Sequence, residues 1–496
     1  MVMKRSIPLI LLIFTMLAPM LAQQEEATPE WLFGEADYWY TEEGEYLDAA
    51  ALYKQLLSKE PDHAHAKFML GMCYNQIRGM EELAIPWFKE ATKDITLKYK
   101  DGKYSVKQAP HHSWYYLADT YRKINDLDQA RMALDSFAAL RNFEKHYHLR
   151  LTEEAIRQVE RAKIIKDAEL NLRALYFAEP INTRRDDYSG VISADGEMMV
   201  WVRSKPLYQA VFMSHREESN WSVPVEITPQ IISDGDLYPT ALSADGTTLL
   251  LVQRPTKGNS DIYYSQYDGM FWSPAQALHG AINGKSNEEH ASFSPDGNRI
   301  YFASDRKGGE GALDIWYSDR QVDGQWGEAV NMGPQINTSV DETCAYLAPG
   351  EGRFVFSSKG HFNMGGYDVF RCEMDNDGNW GKPVNIGFPV NTTSDDTYYV
   401  PLNEGLSALY SRFTNAAIGR HDLWYVDIQA EDGFISDGLI LGMDTRESVA
   451  GSDFAIVVVC NENGDEIEVL YDAESDSFKA LSGPDKTYKV ISYKQH

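Results

Sequence analysis

Apolar and polar positions follow different periods in different parts of the chain. From Glu25 to about Leu170, apolar residues recur three and four positions apart, which predicts paired antiparallel helices. From about Asn171 to Ile428 they alternate in short runs separated by Asp-Gly turns, which predicts antiparallel strands. The stretch 429–496 alternates again and predicts a small β-sandwich, at a size where a single core is thin.

The helical stretch, 23–170, contains three pairs that resemble tetratricopeptide repeats. In this motif small residues let two helices approach closely while aromatic residues fill the space behind them. The best matches, which we interpret as packing positions, are Trp114, Leu117, Ala118 and Tyr121 in the third pair and Leu70, Gly71 and Tyr74 in the second. Such repeats usually present a concave groove to a peptide or helix, and a plain spacer is the alternative interpretation.

Two further features of this stretch carry structural expectations. Residues between Thr96 and Ala109 separate the second and third pairs, and we expect an exposed hairpin or loop there. A last helix is predicted from Thr152 through Ala168, where it would cap the end of the stack with a polar face.

A cassette recurs every 53 to 54 residues in the strand region, 171–428. It joins an Asp-aliphatic-aromatic strand to a following tryptophan, and four antiparallel strands per unit predict a five-bladed β-propeller. The repeated positions are Asp261, Asp314, Asp368 and Asp422 for the aspartate, and Trp221, Trp272, Trp326 and Trp380 for the tryptophan. The fifth unit lacks a fourth strand, so Leu172 to Asn182 is expected to complete it and close the ring.

Acidic residues occur at two kinds of repeated position. Ala210 replaces the cassette aspartate in the first unit, which favours a hydrogen-bonded loop anchor over catalysis. A second group lies where each blade begins: Asp187, Asp236, Glu288, Asp341, Glu342, Asp395 and Asp396. Five-bladed propellers include glycosidases, but a catalytic carboxylate pair should be singular within the ring, so capping is the favoured role and calcium binding a minor alternative.

Composition narrows the classes of partner. The net charge of −28 repels phosphates and anionic lipid headgroups, which argues against nucleic acid and peripheral membrane binding. Residues 1–22 have the basic start, apolar run and small-residue end of a secretory signal peptide, so we expect a location in the periplasm. The four cysteines make no disulfide framework, and no Cys or His spacing indicates a metal site or a cofactor.

Segments such as Ser294 to Ser304 and Gly365 to Phe370 resemble the TolB-type, WD-like propeller repeat, and the final domain resembles a carboxypeptidase regulatory-like sandwich. The order of modules is similar to that of PorE-like envelope proteins of the Bacteroidetes, which serve type IX secretion and gliding. Those proteins usually continue into an OmpA-like domain, whereas this sequence stops at His496, and no residue present supports peptidoglycan anchoring. A separate subunit would supply the anchor, or the protein would act as an adaptor.

Three functions therefore remain open. The favoured one is a non-enzymatic periplasmic or outer-membrane-associated scaffold that binds envelope proteins, since no catalytic constellation is evident. The second is a glycan-binding or glycan-cleaving propeller that uses its channel carboxylates. The third is a TolB-like factor of envelope integrity.

Overall fold

The computed structural model describes residues 27–140, 143–147, 149–167, 170–217, 220–350, 352–413 and 420–428, and the backbone of short strands between 434 and 491. The predicted signal peptide lies outside these residues. The chain separates into two compact units, 1–152 and 153–496, which are described in turn.

The first unit is a series of antiparallel helix pairs, as predicted for tetratricopeptide repeats. A π-helical turn at Trp39–Glu43 follows the first helix and ends at Gly44, whose φ is +68°. The helices are α1 (Pro29–Tyr38), α2 (Tyr46–Lys59), α3 (Ala64–Asn75), α4 (Glu81–Ala91), α5 (Ser113–Lys123), α6 (Leu127–Ala138) and the short α7 (Phe143–His146).

Close helix packing explains the small residue at position 71. Gly71 on α3 faces the buried ring of Phe88 on α4, and a Cβ atom at Gly71 would lie 2.7 Å from Phe88 Cε1. Among the other predicted packing residues, Trp114 is half-buried, and the buried ones are Leu70, Tyr74, Leu117, Ala118 and Tyr121. The close packing of α3 against α4 therefore depends on the absence of a side chain at position 71.

The insertion between the second and third pairs differs from the expected hairpin. Its ends, β1 (Ile95–Thr96) and β2 (Ala109–Pro110), pair in parallel rather than antiparallel. The loop between them folds back onto the helices, where the Tyr99 hydroxyl lies 2.7 Å from His65 Nε2. Several of its residues stay exposed, so the prediction of a loop holds and that of a hairpin is wrong.

The last helix, α8 (Leu149–Asp167), begins three residues before the predicted start. From residue 153 onward it belongs to the second unit. Gln158 donates to the Gly365 carbonyl, and the Arg161 guanidinium lies 5.6 Å from the centre of the Phe362 ring. This part of the helix packs against the propeller, a contact that the sequence did not predict; its role as a cap of the helical stack stays a prediction.

The second unit is a five-bladed β-propeller built from antiparallel sheets. The second strands of the first four blades are buried on both faces, because each blade packs between two neighbouring blades. Blade 1 contains β4 (Asp187–Ile192), β5 (Met198–Ser204), β6 (Gln209–Glu217), β7 (Asn220–Trp221) and β8 (Val225–Glu226). Blade 2 contains β9 (Leu237–Leu242), β10 (Thr248–Gln253), β11 (Asp261–Gln266) and β12 (Gln276–Ala277).

The other three blades repeat this order, and each has a longer third strand than fourth. Blade 3 contains β13 (Glu288–Phe293), β14 (Arg299–Ser304), β15 (Asp314–Asp319) and β16 (Val330–Asn331). Blade 4 contains β17 (Glu342–Leu347), β18 (Arg353–Ser358), β19 (Asp368–Glu373) and β20 (Val384–Asn385). Blade 5 contains β21 (Tyr399–Leu402), β22 (Ser407–Phe413), β23 (His421–Ile428) and, from the start of the unit, β3 (Leu172–Tyr176).

The fourth strand of blade 5 confirms the predicted closure of the ring. β3 pairs antiparallel with β23, with Tyr176 opposite Trp424 and Leu172 opposite Ile428. Just after β3, the buried Asn182 side chain accepts a hydrogen bond from the Leu423 N–H and donates one to the Leu423 carbonyl, both at 2.8 Å. The beginning and end of the ring are thereby held by backbone pairing and by one amide.

Cysteines and the C-terminal stretch complete the description. Cys73, Cys344 and Cys372 are buried free thiols, as predicted, whereas the side chain of Cys460 is not among those described. After the ring, β24 (Phe434–Ser436) and β25 (Leu439–Leu441) form a hairpin that extends the sheet of blade 4, because β24 pairs with β20. Six further short strands form two three-stranded antiparallel sheets. The packing of the predicted sandwich lies outside the described residues.

The contact at Gly71 predicts opposite effects for two glycine substitutions. Gly71→Ala should lower the free energy of unfolding by about 1–3 kcal/mol because its Cβ overlaps the Phe88 ring. Gly34 is an exposed position of α1, and no atom lies within 4 Å of a Cβ placed there. Gly34→Ala should therefore raise the free energy of unfolding by about 0.5–1 kcal/mol. Urea unfolding followed by circular dichroism measures both, and equal effects would contradict the packing contact.

Ring closure predicts a large effect of a single amide. Asn182→Ala should destabilise the propeller by about 2–3 kcal/mol, because a buried N–H and a buried carbonyl of Leu423 lose their partner. The exposed Asn379, which bonds only within its own hairpin, supplies the control Asn379→Ala. Differential scanning calorimetry should show a lower melting temperature for Asn182→Ala alone, and matched melting of the two variants would refute the closure role.

Candidate functional site

The two ends of the propeller channel differ in chemistry. The first strands of the blades all begin at one end, where a cavity of about 530 Å³ opens; we call it the polar mouth. Its lining residues are Arg254, Asn287, Glu289, Asp305, Ala312, Leu313, Asp341, Thr343, Cys344, Tyr367, Asp395, Thr397 and Tyr398. The first strands end at the opposite side, where a smaller cavity of about 90 Å³ is lined mainly by apolar residues from all five blades.

Every carboxylate of the polar mouth has a partner within the ring. Glu289 accepts from Arg254 Nε at 3.0 Å, and Asp341 accepts from Lys359 Nζ at 2.8 Å. Asp395 accepts from the Tyr367 N–H at 3.0 Å. The fourth carboxylate, Asp305, accepts from the backbone and side-chain amides of Asn287 at 2.8 and 2.6 Å.

Aromatic and cationic groups complete this surface. The Arg254 guanidinium lies 3.4 Å from the Tyr398 hydroxyl, and the Lys359 ammonium lies 4.5 Å from the centre of the Tyr367 ring. Burial raises the pKa of Tyr367, so this phenol stays neutral. The polar mouth therefore combines paired charges with tyrosine faces, which suits recognition of a polar ligand or side chain.

Below the polar mouth, a hydrogen-bonded chain fills the centre of the ring. His290 Nε2 lies 2.8 Å from the Tyr346 hydroxyl, which donates to the Thr240 carbonyl at 2.8 Å. These three residues come from blades 3, 4 and 2. Burial lowers the pKa of His290 to about 3, so the imidazole is neutral and acts as a fixed hydrogen-bonding group.

The predicted inner acids occupy two structurally different positions. Asp341 and Asp395 face the polar mouth, whereas the residues that follow them, Glu342 and Asp396, are buried. Glu342 accepts from the Thr338 N–H at 2.8 Å and from the hydroxyls of Thr338 and Ser358. Asp187, Glu288 and Asp396 likewise accept hydrogen bonds from the residue four positions earlier in the chain, just before their blades begin.

This second position has a structural role, as the capping interpretation expected. In blade 1 the carboxylate of Asp187 also accepts from Trp201 Nε1 at 2.9 Å and pairs with Arg203 at 2.6 Å. Blade 2 departs from the pattern because Leu237 takes the buried position. Its acid, Asp236, instead lines a separate cavity of about 500 Å³ and accepts from Gln253 at 2.6 Å.

Sequence reasoning missed the most regular contact of the ring, an asparagine that clamps the third strand of a blade. Asn337 accepts from the Ile315 N–H at 2.8 Å and donates to the Ile315 carbonyl at 3.0 Å. Asn182, Asn283 and Asn391 make the same pair of bonds in their blades. The Ile-Asn or Val-Asn pair that recurs at the ends of four predicted strands could have indicated this contact.

The repeated cassette aspartates lie outside the polar mouth, at the start of each third strand. Asp314 accepts from the Gly311 N–H and from Asn331, both at 2.9 Å, and Asp368 accepts from the Met364 N–H at 2.9 Å. Asp422 accepts from the Tyr176 hydroxyl of β3 at 3.1 Å. Partial burial raises the pKa of Asp261.

The repeated tryptophans pack at the outer hairpins. Trp272, Trp326 and Trp380 form isolated bridges with the end of the third strand, and Trp221 lies on β7. Trp272 Nε1 also lies 3.1 Å from Met213 Sδ of the preceding blade. None of these eight repeated aspartate and tryptophan positions lines the polar mouth.

The described part of the chain has neither a metal-binding cluster nor a membrane-spanning helix. No group of three or more His, Cys, Asp or Glu side chains is arranged to hold a metal ion there. Nor does any described helix combine the length and apolarity needed to cross a bilayer.

Comparison with known proteins identifies the helical repeats. Residues 40–96 and 112–140 match family models of the tetratricopeptide repeat. No curated protein matches the chain.

Among solved structures, the chain is similar to TolB from Acinetobacter baumannii, with 16% identity and a TM-score of 0.34 over 49% of this chain and 55% of that one. It thus spans about half the length of that TolB. A putative TolB from Agrobacterium tumefaciens has 20% identity and a TM-score of 0.30 over 48% and 73%. An α-L-arabinofuranosidase from Podospora anserina has 10% identity and a TM-score of 0.36 over 53% and 98%. The strand pairing of this chain, and not these similarities, defines the five-bladed ring.

Burial of Glu342 predicts a dependence of stability on pH. Burial raises the pKa of Glu342 to about 7, so above pH 4.5 the unfolded chain releases a proton that the folded chain retains. Stability is therefore lost as the pH rises from about 4.5 to 7. Between pH 4 and pH 8, the free energy of unfolding of the unsubstituted protein should fall by about 3 kcal/mol relative to that of Glu342→Gln. Thermal unfolding at both pH values measures this difference.

Glu328→Gln, at an exposed position of blade 3, is the matched control and should unfold in parallel with the unsubstituted protein at both pH values. Parallel behaviour of Glu342→Gln as well would show that Glu342 is ionised in the folded ring.

Proposed function

We propose that this protein is a non-enzymatic scaffold of the bacterial envelope that joins partner proteins. The observation that carries the proposal is the pairing of two interaction-type modules, a tetratricopeptide unit and a propeller whose mouth carboxylates are all engaged. Solenoids and propellers present wide, rigid surfaces, so they bind partners at little cost in conformational entropy.

The arrangement of acids favours binding over hydrolysis. A glycosidase needs two accessible carboxyl groups, one of them kept protonated near neutral pH. Glu342 has a suitable pKa of about 7, but it is fully buried and does not line the polar mouth. Glu289 and Asp341, which do line it, are paired with Arg254 and Lys359.

We further propose a location in the periplasm or at the outer membrane, in a type IX secretion or gliding assembly. The support is the signal-peptide pattern of residues 1–22 and the order of modules, which is similar to that of PorE-like proteins. The partners would be outer-membrane or periplasmic subunits.

Affinity purification of the tagged full chain from native envelopes tests this function. The expected result is stoichiometric recovery of outer-membrane secretion or motility subunits that stay bound through washing. Recovery of no stable partner would overturn the scaffold, and selective recovery of Tol-system proteins would favour the TolB-like alternative.

A glycan array on the same preparation tests the enzyme-class alternative. We expect no binding and no hydrolysis. Binding that is abolished by Asp341→Asn, but kept by the exposed control Asp323→Asn, would instead assign the polar mouth to a glycan.

A further inference from the structure

The surface made by the first helices of the repeats is covered by the chain's own insertion. Tyr104 of the insertion packs against Phe33 of α1, with ring centres 6.0 Å apart. Tyr99 packs against His65 and Phe68 of α3 at 4.6 and 6.1 Å. A partner peptide therefore meets the insertion, residues 97–108, before it meets these helices.

Hydrogen bonds hold the insertion in one conformation. His65 Nδ1 lies 3.0 Å from the Val106 carbonyl, and the His65 N–H donates to the Lys107 carbonyl at 2.8 Å. Tyr104 and Lys107 both bond to Glu60, each at 2.6 Å. This segment is therefore preorganised, which lowers the entropy lost when it binds a partner.

The outer side of this fixed loop is basic. Residues 97–108 contain four lysines and one aspartate, whereas the whole chain has a net charge of −28. Lys98, Lys100 and Lys103 are exposed, and none of the three makes an ion pair with any residue that the structure describes. Asp101 is engaged by the Tyr99 hydroxyl at 2.9 Å.

We propose that Lys98, Lys100 and Lys103 form a docking surface for a short acidic segment of a partner protein. The three lysines lie within six consecutive residues, a span of at most about 20 Å, which fits a few successive carboxylates. An extended anionic surface such as a membrane is disfavoured, because it would also face the strongly negative remainder of the chain. This inference rests on the proposed scaffold function and names the chemistry of one partner site.

Fluorescence anisotropy of a labelled deca-glutamate peptide with the purified full chain tests the surface. Lys98→Glu/Lys100→Glu/Lys103→Glu should weaken binding at least about 10-fold at 50 mM salt, since three attractive charges become repulsive. Raising the salt to 200 mM should weaken binding to the unsubstituted chain as well. The three side chains are exposed, so circular dichroism should show the variant folded.

A matched triple on the propeller, Lys257→Glu/Lys285→Glu/Lys307→Glu, changes the net charge equally at exposed positions. This propeller variant should keep most of the affinity for the deca-glutamate peptide. Equal losses in both triples, or no measurable binding by the unsubstituted chain, would overturn the proposal.

Sedimentation with phosphatidylglycerol vesicles tests whether the three lysines bind lipid headgroups instead of an acidic protein segment. Vesicle binding that requires the three lysines, without peptide binding, would reassign the surface to lipid headgroups and overturn the proposal. If the lysine variant still recovers the envelope subunits from native membranes, the docking surface fails while the scaffold function stands.

Discussion

The amide of Asn182 holds the two ends of the ring together. Its two hydrogen bonds with Leu423 fix the segment that follows β3 against the third strand of blade 5. Without β3, the long strand β23 would present an unpaired edge to solvent and to other chains. The polar mouth is lined by residues of blades 2 to 5, so its shape depends on a ring that holds these blades at fixed distances.

The same asparagine clamp recurs at three of the other four joints, formed by Asn283, Asn337 and Asn391. Asn337 clamps blade 3 while Thr338, the next residue, binds the buried Glu342 at the start of blade 4. One short segment thus joins the third strand of one blade to the first strand of the next. The buried repeated residues are consumed in these joints. The polar mouth combines repeated acids, Asp341 and Asp395, with residues that vary between blades, such as Arg254 and Tyr398.

This division explains how much the sequence could reveal. Strand order, blade number and the closing strand follow from a repeat whose period and missing piece are visible in the residues. The two kinds of inner acid could not be separated, since Asp341 and Glu342 are adjacent and only strand geometry decides which one faces the mouth. The contact of Arg254 with Glu289 lies between blades 2 and 3. The fold of the insertion depends on His65 and Glu60, more than 30 residues away in sequence.

The joint between blades 1 and 2 is built differently from the rest. Thr228 replaces the clamping asparagine, with a bond of 2.8 Å from the Val211 N–H and a long one of 3.5 Å to the Val211 carbonyl. Leu237 replaces the buried acid, so the charged latch is replaced by an apolar contact. The joint between blades 1 and 2 therefore depends on side-chain packing, including that of Trp272 against Met213. Protonation of a buried acid can alter the other four joints, whereas this one has no such group to titrate.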